Sequence, residues 1–266
     1  MKKHVKIIAI AAALVLIALC LVGCGSNKGT IEKIKENGKF TVLTEAGFAP
    51  FEYIDKDGEI AGVDVEISQR IADKLGVELE MVSMDFDGLI QALQAGKGDM
   101  VAAGLTADEE RAKSVDFSIN YIDTGLYIIV KGEGSKVASK EDIAEGVTVG
   151  VQKGTTSDLF VSDTTAEVSR YTRVADAVVA VQTGKIDAVV CDELPATDAV
   201  TNNPDLKLLD EPLTVEQYSV AVTKGDEEFL KLVNEVLQEM LDSGEIDELV
   251  SDHMELAKQA ETTTEE

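Results

Sequence analysis

Ile90–Gly104 reads IQALQAGKGDMVAAG, and Val178–Asp192, 88 residues on, reads VVAVQTGKIDAVVCD. Both carry Gln-x-Gly-Lys-x-Asp, and both run from an apolar helical stretch through a Gly-Lys stop into an apolar strand. A second pair precedes them in the same order: Thr41–Gly47 (TVLTEAG) and Thr148–Gly154 (TVGVQKG). Many helix-to-strand junctions use Gly, Lys and Asp, so one pair alone says little. Two pairs in the same order predict two similarly wound α/β lobes.

Working outward, residues 39–44 (KFTVLT) read as a strand, and residues 51–62 as a hairpin turning on Asp57-Gly58. Residues 55–66 resemble a calcium loop superficially, but Ile60 stands where the turn needs Gly. Asp64 is placed to cap a helix that carries Val65, Ile67, Ile71, Ala72 and Leu75 and stops at Gly76. A strand (78–83), a helix (86–94) and a strand (99–103) follow. In open α/β sheets, ligands bind beyond the carboxyl ends of the strands. The residues just past those ends are Glu45 and Gly104 in one half, Gln152 and Asp192 in the other. Two lobes facing each other there would enclose a cleft.

The chain has 266 residues, 24 Lys+Arg against 50 Asp+Glu, and a net charge of −26. Such a charge, with no basic cluster, argues against nucleic acid as a partner. The N-terminus shows Lys2, Lys3 and Lys6, then 16 apolar residues (7–22), then Gly23-Cys24. That run is shorter than a membrane span and has the layout of a secretory signal. Leu21-Val22-Gly23-Cys24 resembles the lipobox of bacterial lipoproteins, in which the cysteine is diacylated after cleavage before it. Residues 1–23 are then a signal peptide, and 24–35 a lipidated Cys24 and tether. The mature chain would carry −29, from 21 basic and 50 acidic residues. Cys20 would leave with the signal, so Cys191 stands alone and no intramolecular disulfide is expected.

From about Gly38 to Met254 the chain resembles the extracytoplasmic solute-binding proteins of polar amino-acid ABC importers, bacterial solute-binding protein family 3. The segments that carry the resemblance are EAGFAPFEY (45–53), GVDVE (62–66), MDFDGLI (84–90), GLT (104–106), Glu110-Arg111, VDFS (115–118) and Val190-Cys191-Asp192. It implies a two-lobed α/β fold of the periplasmic-binding-protein-like type II class, with a mostly parallel sheet in each lobe. Lobe 1 would comprise 36–121 plus 221–257 and lobe 2 126–216, joined by hinge strands at 121–125 and 216–220. Residues 227–241 would form a helix that returns to lobe 1, and 258–266 an acidic tail frayed at its end.

The resemblance also assigns roles. Arg111 would clamp the α-carboxylate through a planar fork, with Gly104 and Thr106 beside it, and Asp192 would take the α-ammonium. Phe48 and Phe86 would wall the ligand, and Gln152 and Thr156 would line the second lobe. Other readings stay open: Arg111 as a solvated helix charge, Phe86 as core, Asp192 as a helix cap before Pro195. Glu52, Asp64 and Glu66 read as surface or capping residues. Glu45 matches the position facing the ligand's distal group, where an acid favours a basic or amide side chain.

The expected function is therefore a lipid-anchored binding protein, monomeric and outside the cytoplasmic membrane, on a Gram-positive surface or in a periplasm. It would deliver a polar L-amino acid to an ABC permease powered by its ATPase. No cofactor, metal or catalytic residue is expected: His253 is the one histidine of the mature chain, and no HExxH, paired CxxC or P-loop occurs. The alternative is a cyclohexadienyl dehydratase-like enzyme on the same fold. A receptor ectodomain is a third class, disfavoured in a single polypeptide that shows no further membrane segment.

Overall fold

The computed structural model describes residues 28–264, with side chains to residue 260. The expected signal peptide, Cys20 and Cys24 lie outside the described residues. After helix α1 (Thr30–Asn37), strand β1 (Lys39–Thr44) leads into the hairpin β2 (Tyr53–Ile54) and β3 (Ile60–Ala61). Helix α2 (Val63–Leu75), strand β4 (Glu78–Ser83), helix α3 (Leu89–Gln94), and strands β5 (Met100–Val101), β6 (Val115–Phe117) and β7 (Ile122–Thr124) follow. The second half runs β8 (Leu126–Lys131), β9 (Thr148–Gln152), α4 (Thr156–Ser162), β10 (Glu167–Tyr171), α5 (Val174–Gln182), β11 (Ala188–Asp192), α6 (Glu193–Asn202) and β12 (Leu206–Leu208). Strands β13 (Glu216–Tyr218) and β14 (Ala221–Thr223) lead back, and helices α7 (Glu227–Ser243) and α8 (Glu245–Thr264) close the chain.

The two five-stranded sheets are ordered β4-β1-β5-β14-β6 and β10-β9-β11-β8-β12. In each, the strand of the TV-repeat lies between two parallel neighbours, one of them the strand that follows the Gly-Lys stop. The repeated aspartates explain why. Asp99 accepts from Thr41 N–H at 2.9 Å while its own N–H donates to Thr41 C=O at 2.8 Å. Asp187 and Thr148 repeat the pair at 3.0 and 2.9 Å. Gly96 and Gly184, with φ of 68° and 73°, end the preceding helices in the left-handed conformation.

Each sheet takes one antiparallel strand, β14 or β8, that enters directly after a crossing between the lobes. The crossings themselves pair as a two-stranded antiparallel ribbon, β7 with β13. Phe40, Val42, Ile67, Ile71, Met100 and Phe229 are fully buried in lobe 1, and Val149, Val151, Val161 and Val190 in lobe 2. The rings of Phe40 and Phe229 meet edge-on at 5.8 Å, which seats α7 on the first lobe.

Several boundaries differ from the sequence reading. Gly62, not Asp64, stands at the N-cap of α2, and Asp64 turns inward instead. The helix expected over 86–94 begins as a single 3-10 turn at Phe86–Gly88, and the strand expected over 99–103 is only Met100–Val101. No tail begins at 258: after Gly244 breaks the helix at φ 79°, α8 runs on to Thr264. Ala257 and Ala260 are buried beside Tyr53, so packing extends this helix beyond its weak local signal.

Candidate functional site

The carboxyl ends of β1, β9 and β11 meet at one narrow pocket between the lobes. Its wall contains Glu45, Phe48, Phe86, Gly104, Thr106, Arg111, Gln152, Thr156 and Asp192, together with Glu52, Ala103 and Thr155. All nine residues proposed from sequence are thus brought to one space, from both lobes. A wider groove of about 370 Å³ opens elsewhere between the lobes, lined by apolar residues such as Val178, Ala199 and Ala257 and by polar ones such as Asp198 and Asn203. None of the nine residues proposed from sequence lines it.

Arg111 is not a solvated helix charge. Its side chain is 11% exposed, pairs with Asp108 at 3.2 Å, and lies over the Phe86 ring at 5.4 Å. Nη1 donates to Thr106 C=O at 2.7 Å and Nη2 to Gly154 C=O at 3.1 Å, the latter across the cleft. A guanidinium has five N–H donors, so one remains on each terminal nitrogen. Phe86 therefore borders the pocket while it also packs against the core around Leu89 and Leu93.

Asp192 ends β11 and sits at the N-cap position of α6, yet its side chain caps nothing. It is buried and Oδ1 has no hydrogen-bond partner among the described residues. Burial first, then the nearby Glu216, pushes its pKa up to about 7, against the pull of the neighbouring Tyr218 hydroxyl and of Arg111. Glu45 is also buried, accepting from Gln152 Nε2 at 3.1 Å and facing Arg173 Nε at 3.7 Å, both from lobe 2. Burial raises its pKa. Phe48 rests against the backbone of Gly104, where φ is 50° and a Cβ would lie 2.6 Å from the ring. Only glycine allows that approach.

Sequence reasoning missed three carboxylates. Glu52 and Asp64, read as surface or capping residues, are fully buried, whereas Glu66 is exposed. Glu216, on crossing strand β13, accepts from Thr106 Oγ1 and Thr156 Oγ1, each at 2.8 Å, and so ties the two lobes together. Lys153 and Asp87 add an ion pair of 2.6 Å across the cleft mouth. The signal for Glu52 was present as its alternation with buried Phe51 and Tyr53, but alternation does not say what covers the other face. His253 lies away from the cavity, with Nδ1 at 3.0 Å from the Tyr53 hydroxyl.

Residues 40–255 match the family model of bacterial extracellular solute-binding proteins, family 3. The chain belongs to that family. A probable histidine-binding protein of Neisseria gonorrhoeae is 34% identical over 250 residues, covering 90% of this chain and 92% of the relative. The arginine-binding extracellular protein ArtP of Bacillus subtilis is also 34% identical, covering 89% and 94%. The amino acid ABC transporter substrate-binding protein AbpA of Streptococcus pneumoniae, solved bound to L-arginine, superposes with a TM-score of 0.81 at 34% identity, covering 85% and 98%. This family 3 protein accordingly has the type II periplasmic-binding-protein fold.

Proposed function

We propose that this protein is the lipid-anchored binding component of an amino-acid ABC importer, taking a polar L-amino acid, preferably basic. The observation that carries the reading is that Arg111 and Asp192 line one pocket from opposite lobes. Arg111's two remaining N–H donors suit a carboxylate, and the orphaned Asp192 oxygen suits an ammonium. Glu45, buried and acidic, favours a cationic or amide side chain over glutamate or aspartate. Relatives named for histidine and arginine support the lean. Cys24 would hold the protein at the membrane through two acyl chains, enough for stable anchoring. The ribbon of β7 and β13 would act as the hinge, and a partner ATPase would drive transport through the permease.

A thermal-shift screen over the amino acids tests this, because a ligand of the folded state raises stability by mass action. Stabilisation by L-arginine or another basic or amide amino acid is expected. Stabilisation by glutamate alone would remove the lean, and by no amino acid, the function. Cys24→Ala should free the protein from membrane fractions.

One observation favours a second reading. Asp192, titrating at about 7, could serve as a proton donor in a dehydratase. Turnover of prephenate or arogenate by the purified protein would establish it.

A further inference from the structure

The cavity wall carries a carboxyl group that a clamp for an amino acid's main-chain groups does not use. Glu52 is fixed by its backbone, accepting from Phe48 N–H at 2.7 Å and donating to Phe48 C=O at 3.2 Å. Its side chain is fully buried and borders the cavity beside Phe48 and Gly104. No N–H or neutral O–H among the described residues reaches either carboxyl oxygen. What the group meets is a second fully buried carboxyl, Asp64, which does not itself border the cavity. Asp64 accepts from Gly104 N–H at 2.9 Å and from the Tyr121 hydroxyl at 2.6 Å.

Two carboxylates in contact and out of water do not both ionise. One proton shared between them removes the conflict, and its place follows from the donors. Asp64 already has two, so the negative charge belongs there and the proton on Glu52, which donates to Asp64. Burial, then Asp64, Glu45 and Asp192, push Glu52 well above the carboxylate range, whereas Asp64 rises only to about 6. The groups facing Glu52 are thus acids. Arg111, the cation bordering the same cavity, is engaged by Asp108, Thr106 and Gly154.

We propose that Glu52 is a further specificity-determining residue: a neutral carboxyl, hydrogen-bonded to Asp64, that ionises when a cationic ligand side chain reaches it. The Glu52 O–H bond breaks and its proton passes to a solvent or buffer base before the lobes close. An N–H of the ligand's ammonium or guanidinium then donates to the carboxylate left behind. This rests on the basic-ligand reading and deepens it, because binding becomes an exchange of a cation for a proton.

Titration calorimetry of L-arginine into the mature protein, in buffers of different ionisation enthalpy, counts the protons. At roughly pH 8, Asp192, whose pKa is pushed up to about 7, is mostly ionised beforehand and contributes little, while the α-ammonium of L-arginine is still largely protonated. Wild type should release close to one proton per L-arginine, and Glu52→Gln should bind more weakly and release none. Binding by wild type without release overturns the inference alone, whether or not the variant folds. Release undiminished in Glu52→Gln also overturns it, placing the proton elsewhere, for example on Glu45. Absence of L-arginine binding removes the basic-ligand reading and this inference with it.

Discussion

Gln152 Nε2 donates to Glu45 Oε2 at 3.1 Å across the cleft, and also to Thr172 C=O at 3.0 Å within its own lobe. The amide therefore holds the acid in place from the opposite wall without neutralising it. Glu45→Gln should lower affinity for L-arginine roughly ten- to hundredfold, the worth of a charge-assisted hydrogen bond. Affinity for L-glutamine should change far less. Calorimetry with both ligands checks this, and equal losses for the two would show that Glu45 does not read side-chain charge.

Arg111 reaches the opposite lobe through Gly154 C=O, so it contributes to closure as well as to the wall. Arg111→Lys keeps the charge but loses the planar fork and the donor to that carbonyl. Both Arg111→Ala and Arg111→Lys should weaken amino-acid binding by at least about 1.5–3 kcal/mol. Full affinity in Arg111→Lys would mean that a point charge suffices.

Asp192 sets a pH dependence of definite sign. Its folded pKa of about 7 lies above the ordinary 3.8, so the ligand-free fold binds more protons than the unfolded chain between those values. Its contribution to stability is full below 3.8 and is lost as pH rises through about 7. Asp192→Asn should flatten that part of the ligand-free melting profile. An ammonium ligand needs the ionised form, so through Asp192 the wild-type affinity should instead rise with pH up to about 7, beyond which the rise comes from the Glu52 proton alone. Melting and affinity that moved together with pH would contradict this assignment.

Asp99 and Asp187 make the same bond to strand β1 or β9 of their lobe's sheet, in different surroundings. Asp99 is pushed up by burial, whereas Asp187 is held down by its Thr148 bond and Lys136. Removing either leaves a strand N–H unsatisfied, which costs about 1–3 kcal/mol when water cannot replace the partner. In denaturant unfolding both substitutions should lower stability, and the loss in Asp187→Ala should shrink in acid, where the wild-type carboxylate that folding favours becomes protonated.

How much was legible follows from these residues. The Gln-x-Gly-Lys-x-Asp repeat located two helix stops and two strands, because each depends on neighbours within a few residues. Glu45, Gly104, Gln152 and Asp192 were legible as strand ends, and Arg111 and Phe86 through a family resemblance. The buried Glu52 and Asp64 were not, and neither was the bridge from Glu216 to Thr106 and Thr156. A polar residue beside buried neighbours looks the same in sequence whether its other face meets water or a second lobe.

The sequence by itself determined the winding of each lobe and the set of side chains at the strand ends, since hydrophobic period and glycine stops act locally. Only the tertiary structure decided which carboxyls leave water. That depends on two lobes closing over each other, a contact between residues as distant as Glu45 and Gln152. Burial then changes what those groups are chemically, since it pushes the carboxyls of Glu45, Glu52, Asp64 and Asp192 above their ordinary pKa.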